Sequence, residues 1–461
     1  MAGTLTPALG TVRGARAAAE PTAALYVALH CDHPTRPPSR HFLADTDVVS
    51  LGRAAAQEAR RRSRQLELSI ADGWMSTRHA LLKRVGGSWA IEDAGSRNGT
   101  RVNGAPCKSG ILADGALIEL GHTLFLFREN VPHLKGVPLD VDAARLAAPA
   151  TGLATFSPPL AAEVSRLAAI ARSTVPVVLH GATGSGKELA ARALHQLSGR
   201  AGAFVAVNCG SIAKTLVETE LFGYRKGAFS GAEEDRPGLM RTADKGTLFL
   251  DEIADLPASS QAVLLRALQE SEVLPVGATK PVKVDVRVLA ATHYDLPKLV
   301  EQGSFRADLF ARISGFTVRL PPLSERREDL GLLTAEILRR VAPELIDRIA
   351  LTPEAASALF AHGWPLNVRE LEKCLSTAVV LAAGQPIDLP HLPDWAQQKK
   401  KEEAPARPAS EAELRQREEL VALLKEHHGN VSSIARALGK ARMQVQRWLK
   451  RHGLEAGSFR G

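Results

Sequence analysis

The chain is short of cysteine and of aromatic rings. Its 461 residues include four cysteines, three tyrosines and five tryptophans. Cys31, Cys107, Cys209 and Cys374 stand far apart, in a spacing that matches neither a zinc site nor a disulfide framework. A metal-stapled or disulfide-rich scaffold is therefore excluded, and a reducing, cytoplasmic location is expected. No apolar run approaches the roughly 20 residues a membrane helix needs. The N-terminus has no secretory pattern, so no membrane role is expected. Internal repeats are missing too. Charge is nearly balanced, with 58 basic residues against 50 acidic ones and a formal net charge of +8. So small an excess does not by itself select a polyanionic partner.

What is present changes texture along the chain. Residues 1–23 read as a flexible tail. From 24 to 130, short alternating segments such as Val48–Leu51, Leu66–Ile70, Trp89–Glu92 and Thr123–Phe127 are punctuated by Gly, Asn and Asp. That spacing predicts a β-sandwich. Residues 131–152 read as a linker. From 153 to 395, buried-strand runs (Pro176–His180, Thr247–Leu250, Val284–Ala291) alternate with helical stretches (Glu188–Leu197, Ser260–Glu270). This predicts an α/β unit on a parallel sheet, with a helical lid over about 325–395. Residues 396–410, rich in Lys, Glu, Pro and Ala, form a second linker, and 411–461 a small all-α unit.

Two motifs in the α/β unit carry chemistry. Gly181-Ala182-Thr183-Gly184-Ser185-Gly186-Lys187 follows an apolar strand and precedes a helix. The glycines let backbone N–H groups close around the β- and γ-phosphates of ATP, the helix N-terminus adds its dipole, and Lys187 adds a point charge. Glu188 stands where a hydroxyl ligand for magnesium is usual. Further on, the strand Gly246–Leu250 ends in Asp251 and Glu252. Asp251 would help hold Mg²⁺, and Glu252 would polarise the attacking water as general base. A bare glycine turn and an acidic strand end are the bland alternatives. Their occurrence together, in this order, argues against both.

Residues 153–395 resemble the AAA+ domain of bacterial sigma-54 activators, in which Glu188 after the lysine is typical. The resemblance assigns roles to further positions. Gly227-Ala228-Phe229-Ser230-Gly231-Ala232 corresponds to the loop that touches sigma-54, with Ser230 where Thr is usual. Asn208 corresponds to the residue that restrains the catalytic glutamate. Thr292 and His293 fall at the first sensor, where the family favours Asn in place of His293. Arg306 and Arg312 match the segment whose guanidiniums reach the γ-phosphate of a neighbouring subunit. Arg369, in Trp364–Leu371, reports nucleotide state from the lid, and Leu366 replaces a common Gly. The resemblance implies a hexameric ring that hydrolyses ATP and remodels sigma-54 RNA polymerase to the open complex.

Between Arg436 and Arg451 six basic residues occur without an acidic one. A turn at Gly429-Asn430 and another at Gly439 divide this end into short helices. The unit resembles a Fis-type helix-turn-helix, which implies a dimer on upstream enhancer DNA. Arg442, Gln444, Gln446 and Arg447 would face the DNA, and Lys450 and Arg451 would contact phosphate.

The first block resembles a forkhead-associated (FHA) domain, a sandwich that binds phosphothreonine. A phosphate needs a cation and a hydroxyl, here Arg53 and Ser76. Asn98, in a tight turn, would grip the peptide backbone, His79 would brace the loop, and Thr77 and Arg97 flank the site. The implied partner is a phosphothreonine protein or a Ser/Thr kinase. Two other readings remain: a DNA-binding regulator and a phosphopeptide scaffold, each independent of sigma-54.

Overall fold

The computed structural model describes residues 20–133, 136–146, 148–150, 152–397, 419–424 and 426–451. At the N-terminal end, a seven-stranded sheet packs on a six-stranded one. Leu25, Val27, Phe125 and Phe127 from one sheet meet Leu51, Leu66, Ile70 and Leu82 from the other. The long strands Glu20–His30 and Thr123–His133 pair antiparallel along their length. From Ala23 on, the first strand is buried at every position. A strand with one wet face would alternate. The reason is that its second face, Ala24, Tyr26 and Ala28, is covered as well.

Two expected boundaries shift. The first strand begins at Glu20, inside the stretch read as a flexible tail, because Glu20 pairs with His133. The stretch 131–152, read as a linker, contributes the strand Asp140–Asp142, which pairs with Ser39–Phe42. Its anchor is the Asp140 carboxylate, which accepts from Arg61 Nε at 2.6 Å and from His41 Nδ1 at 2.7 Å. Burial opposes the charge on Asp140, but these two partners win and hold its carboxyl well below the usual range. No local pattern announces such a strand, since its partners lie far away in sequence.

The central unit is a five-stranded parallel sheet in the order Phe204–Asn208, Thr247–Asp251, Arg287–Thr292, Val177–His180, Phe316–Arg319. In such a sheet, ligands sit beyond the carboxyl ends of the strands. Helices Leu330–Val341, Pro353–Ala361 and Asn367–Ala382 follow. Their core, with Leu359, Phe360, Trp364, Leu371 and Leu375, is continuous with the outer face of the sandwich through Tyr26, Phe42, Leu124 and Leu126. At the closest point the carbonyl of Ala28 lies against Gly331, where a Cβ would sit 1.7 Å from it. Leu351 N–H donates across the junction to Cys31 O at 2.8 Å.

At the C-terminal end, residues 419–424 are helical. Helices Val431–Ala437 and Arg442–Arg451 follow, around Leu420, Leu424, Ile434, Val445 and Leu449. Asn430 caps the middle helix through Ser432 and Ser433 N–H groups. Gly439, at φ 61°, makes the turn that follows it. Among the described residues, no helix is long and apolar enough to cross a membrane.

Candidate functional site

The strand Val177–His180 delivers the chain into the loop from Gly181 to Gly186, and the helix Lys187–Ser198 leaves it. Gly186 caps that helix at φ 103° and Gly184 turns at φ 75°. Both are left-handed conformations that favour glycine. Lys187 is 6% exposed, and its Nζ donates to Gly181 O at 3.0 Å and to Glu252 Oε1 at 3.4 Å. Ser185 Oγ is buried without a hydrogen-bond partner. Glu188 points outward and pairs with Arg192 one helical turn on, at 2.6 Å.

Asp251 and Glu252 end the neighbouring strand. Glu252 sits at φ 50°, which turns its side chain back toward the loop. Its Oε2 accepts from His293 Nδ1 at 2.7 Å. Burial would raise the Glu252 pKa, but the His293 hydrogen bond and the Lys187 charge outweigh it, so the carboxyl titrates below its ordinary value. Asp251 goes the other way, raised by burial and by the adjacent Glu252. Two neighbouring acids are thus split in proton affinity. The one held by the His293 hydrogen bond and the Lys187 charge keeps its own charge most firmly.

Not every expected contact is made. The Asn208 Oδ1 accepts Ser211 N–H at 3.1 Å, and among the described residues Asn208 makes no hydrogen bond to Glu252. His293, not Asn208, holds the glutamate here. Thr292 is fully buried, and its hydroxyl accepts Tyr294 N–H at 3.0 Å. Arg306 pairs with Asp308 at 2.7 Å, and Arg312 donates to Leu268 O at 2.7 Å. Both stand exposed on the helix Ala307–Ile313 and its cap, and among the described residues neither makes a hydrogen bond to the phosphate loop of its own chain. Arg369 is also exposed, and its backbone lies against the loop: a Cβ at Gly184 would be 3.0 Å from the Arg369 Cβ and 2.2 Å from Leu366 O. Leu366 itself adopts φ −99°, a value open to any residue, so the glycine it replaces is not required.

Two contacts escape the sequence reading. Asn367, 1% exposed, donates from Nδ2 to Thr183 O at 2.9 Å and accepts Leu323 N–H on Oδ1 at 2.8 Å, riveting lid to loop. Arg326 donates to Ser185 O at 3.0 Å. An Asn at φ 57° directly after Trp-Pro-Leu is a legible hint for the first. The second hides in a charged run that reads as solvated surface.

The segment Gly227–Ala232 forms an exposed loop closed by Gly227 N–H to Ala232 O at 2.9 Å. Gly227 and Gly231 have φ 81° and 103°. Phe229 is 42% exposed and meets Tyr224 edge-on at 4.9 Å, while Ala232 is buried. Ala228 packs under Gly277, and Ser230 is exposed.

At the far end of the sandwich three loops converge. Arg53 is exposed at the end of Val48–Arg53, and its N–H donates to Ser76 O at 3.0 Å. Ser76 Oγ accepts Arg97 N–H at 3.0 Å, and Asn98 Nδ2 donates to Trp74 O at 2.8 Å. Fully buried His79 ties Ser76 N–H at 3.1 Å to Gly99 O at 3.1 Å. Thr77 O fills the space over Gly52, where a Cβ would meet it at 2.0 Å. Arg53, Thr77, Arg97 and Asn98 are all exposed on this rim, with Ser76 half-buried among them. On the C-terminal helix, Arg442, Gln444, Gln446 and Arg447 are exposed while Val445 is buried. The Lys450 and Arg451 side chains lie outside the described residues.

Comparisons with known proteins fall on the same segments. Residues 153–319 match the sigma-54 interaction domain, 324–409 the AAA+ ATPase lid domain, and 38–121 the FHA domain. Transcriptional regulatory protein GlrR of Escherichia coli K12 is 37% identical over 329 residues, covering 69% of this chain and 73% of that one. DNA-binding transcriptional regulator NtrC of Salmonella typhimurium is 41% identical over 318 residues, covering 62% and 67%. The acetoin catabolism regulatory protein of Cupriavidus necator is 41% identical over 320 residues, and the chain spans 46% of its length. The crystal structure of NtrX from Brucella abortus in complex with ADP superposes with TM-score 0.51 at 33% identity, covering 66% of this chain and 70% of that one.

Proposed function

Because the chain belongs to the sigma-54-dependent activator family and its central unit is an AAA+ ATPase, we propose that it binds upstream DNA and spends ATP in a hexameric ring to open promoters held by sigma-54 RNA polymerase. The observation that carries this is one buried constellation: Lys187 and Glu252 at 3.4 Å, beneath a phosphate loop clamped by the lid. Loop N–H groups, the helix N-terminus and Lys187 bind the phosphates. Glu252, kept ionised by His293 and Lys187, takes the proton of the attacking water. Arg306 and Arg312 serve the neighbour's γ-phosphate, which fits their exposure and their lack of a bond to the loop in their own chain.

Mg²⁺ fits the oxygen donors present. Asp251 is a carboxylate at the strand end, and among the described residues no cluster of three His, Cys, Asp or Glu could hold a metal alone. Such an ion is held by one or two carboxylates plus substrate phosphates. Bound there, it would neutralise phosphate charge. The loop Gly227–Ala232 contacts sigma-54 through Phe229. A half-exposed aromatic ring flanked by left-handed glycines suits a segment that lifts and docks.

Arg53, Ser76, Thr77, Arg97 and Asn98 receive phosphothreonine from a partner protein or kinase. Arg442, Gln444, Gln446, Arg447, Lys450 and Arg451 meet DNA as a dimer, in the cytoplasm. The test is steady-state ATP turnover by the full chain. Glu252→Ala should abolish it while nucleotide still binds. A normal rate in that variant would overturn the role given to Glu252.

A further inference from the structure

The turn Arg326-Arg327-Glu328-Asp329 stands where sandwich, lid and ATPase core meet, and its four side chains between them reach all three units. Arg326 is 7% exposed, and its Nη2 donates to Ser185 O inside the phosphate loop at 3.0 Å. Asp329 is 1% exposed and accepts the Thr155 hydroxyl and Phe156 N–H, both at 2.6 Å. Arg327 donates to Phe360 O of the lid at 2.8 Å and to Gly115 O of the sandwich at 3.3 Å. Glu328 accepts from Arg128 Nη1 at 2.7 Å, and Arg128 lies on the sandwich strand Thr123–His133.

The Ser185 carbonyl matters because of peptide geometry. In a trans peptide the N–H of the next residue points opposite to the C=O. A guanidinium that pins Ser185 O outward would therefore aim Gly186 N–H into the loop, where a phosphate oxygen would bind. Arg326 has a second acceptor nearby, the Asp329 carboxylate at 4.0 Å, and Glu328 adds a second negative charge to the same turn. An unpartnered Glu328 would compete for Arg326. Arg128 prevents that by engaging it.

We propose that Arg326 is a positioning residue of the phosphate loop, and that Arg128 of the FHA sandwich keeps it on Ser185 by holding Glu328 away. This rests on the reading that Gly181–Glu188 binds the phosphates of ATP. It gives the sandwich a direct line to the nucleotide site, so that its docking on the lid and the affinity for ATP are one equilibrium.

The experiment is ATP hydrolysis by the full chain, with KM and kcat resolved, at a pH above the range in which Glu328 titrates, so that it is ionised with or without Arg128. Arg326→Lys keeps the charge but loses the fork, and should raise KM about tenfold, the scale of one charged hydrogen bond, with kcat little changed. Arg128→Met should raise KM in the same direction, and Arg128→Lys should recover part of the loss. The decisive variant is the double Arg128→Met/Glu328→Gln. With the competing carboxylate removed, its KM should return toward the wild-type value. A general loosening of the domain junction would not be rescued by a second substitution. An unchanged KM in Arg128→Met, or a double variant no better than the single, overturns the proposal. If Arg128→Met does not fold, the pair Arg128→Lys and Arg128→Lys/Glu328→Gln makes the same comparison. Residual hydrolysis in Lys187→Ala would instead refute the nucleotide-site reading itself.

Discussion

His293 is the side chain that holds Glu252, the proposed general base. Its imidazole donates to Glu252 at 2.7 Å, and its ring packs on Tyr294 at 3.9 Å between centroids. His293→Ala should therefore slow ATP turnover by roughly tenfold, the scale of one lost charged hydrogen bond, with nucleotide affinity retained. His293→Asn should recover most of it, because an amide can donate to the same carboxylate. If the alanine variant turns over normally, His293 does not position the glutamate. On the sandwich, Arg53 is an exposed cation of the convergent loops. Arg53→Ala should abolish binding to phosphothreonine peptides in a fluorescence titration, and unchanged affinity would sink that assignment. The phosphate loop, the two acids and the Arg53–Ser76 rim were legible in the sequence because each is a local motif. The switch from Asn208 to His293 as partner of Glu252 was not. It depends on which side chain reaches the carboxylate from a flanking strand, and His293 carried only a sensor role in the sequence reading.

At the scale of elements, the helix Leu330–Val341 shows local propensity losing to packing. Alanine in place of Gly331 should favour a helix by about 1 kcal/mol. Here its Cβ would lie 1.7 Å from Ala28 O, which is backbone and cannot swing aside. Gly331→Ala should therefore loosen the sandwich from the lid, seen as faster proteolysis between the two and a larger radius of gyration in solution scattering. A variant as compact and resistant as the wild type would contradict the junction described. Glu328 gives the same junction a pH dependence. Burial, with Asp329 beside it, pushes its pKa up to about 7 from an ordinary 4.5. Between those values the folded chain binds the proton and the unfolded chain does not, so stability falls as pH rises through that window and levels off above it. The span corresponds to roughly 3 kcal/mol. Glu328→Gln should flatten the slope of denaturant stability from pH 5 to 7. The strand Asp140–Asp142 and this turn escaped the sequence reading for one reason: both are fixed by charges from distant segments, Arg61 with His41 in one case and Arg128 in the other. A charged run has no period that tells a buried junction from a wet surface.

For the whole molecule, the order of units was readable from texture alone, since alternation of period two gives way to buried strands and then to helices. Their docking was not. The outer face of the sandwich carries Tyr26, Leu124 and Leu126, and only the fold shows that the lid covers them. That arrangement places the Arg53–Ser76 rim at one end of the sandwich and the Arg128–Glu328 pair on its flank. In the proposed function, ATP turnover in this chain drives sigma-54 polymerase to the open complex. The most direct measurement is open-complex formation on a sigma-54 promoter carrying upstream sites, probed by permanganate reactivity. Wild-type chain with ATP should melt the promoter. Glu252→Ala should bind ATP without melting, and Phe229→Ala should hydrolyse ATP without melting. Melting by Glu252→Ala, or melting on a promoter read by another sigma factor and not on this one, would contradict the account.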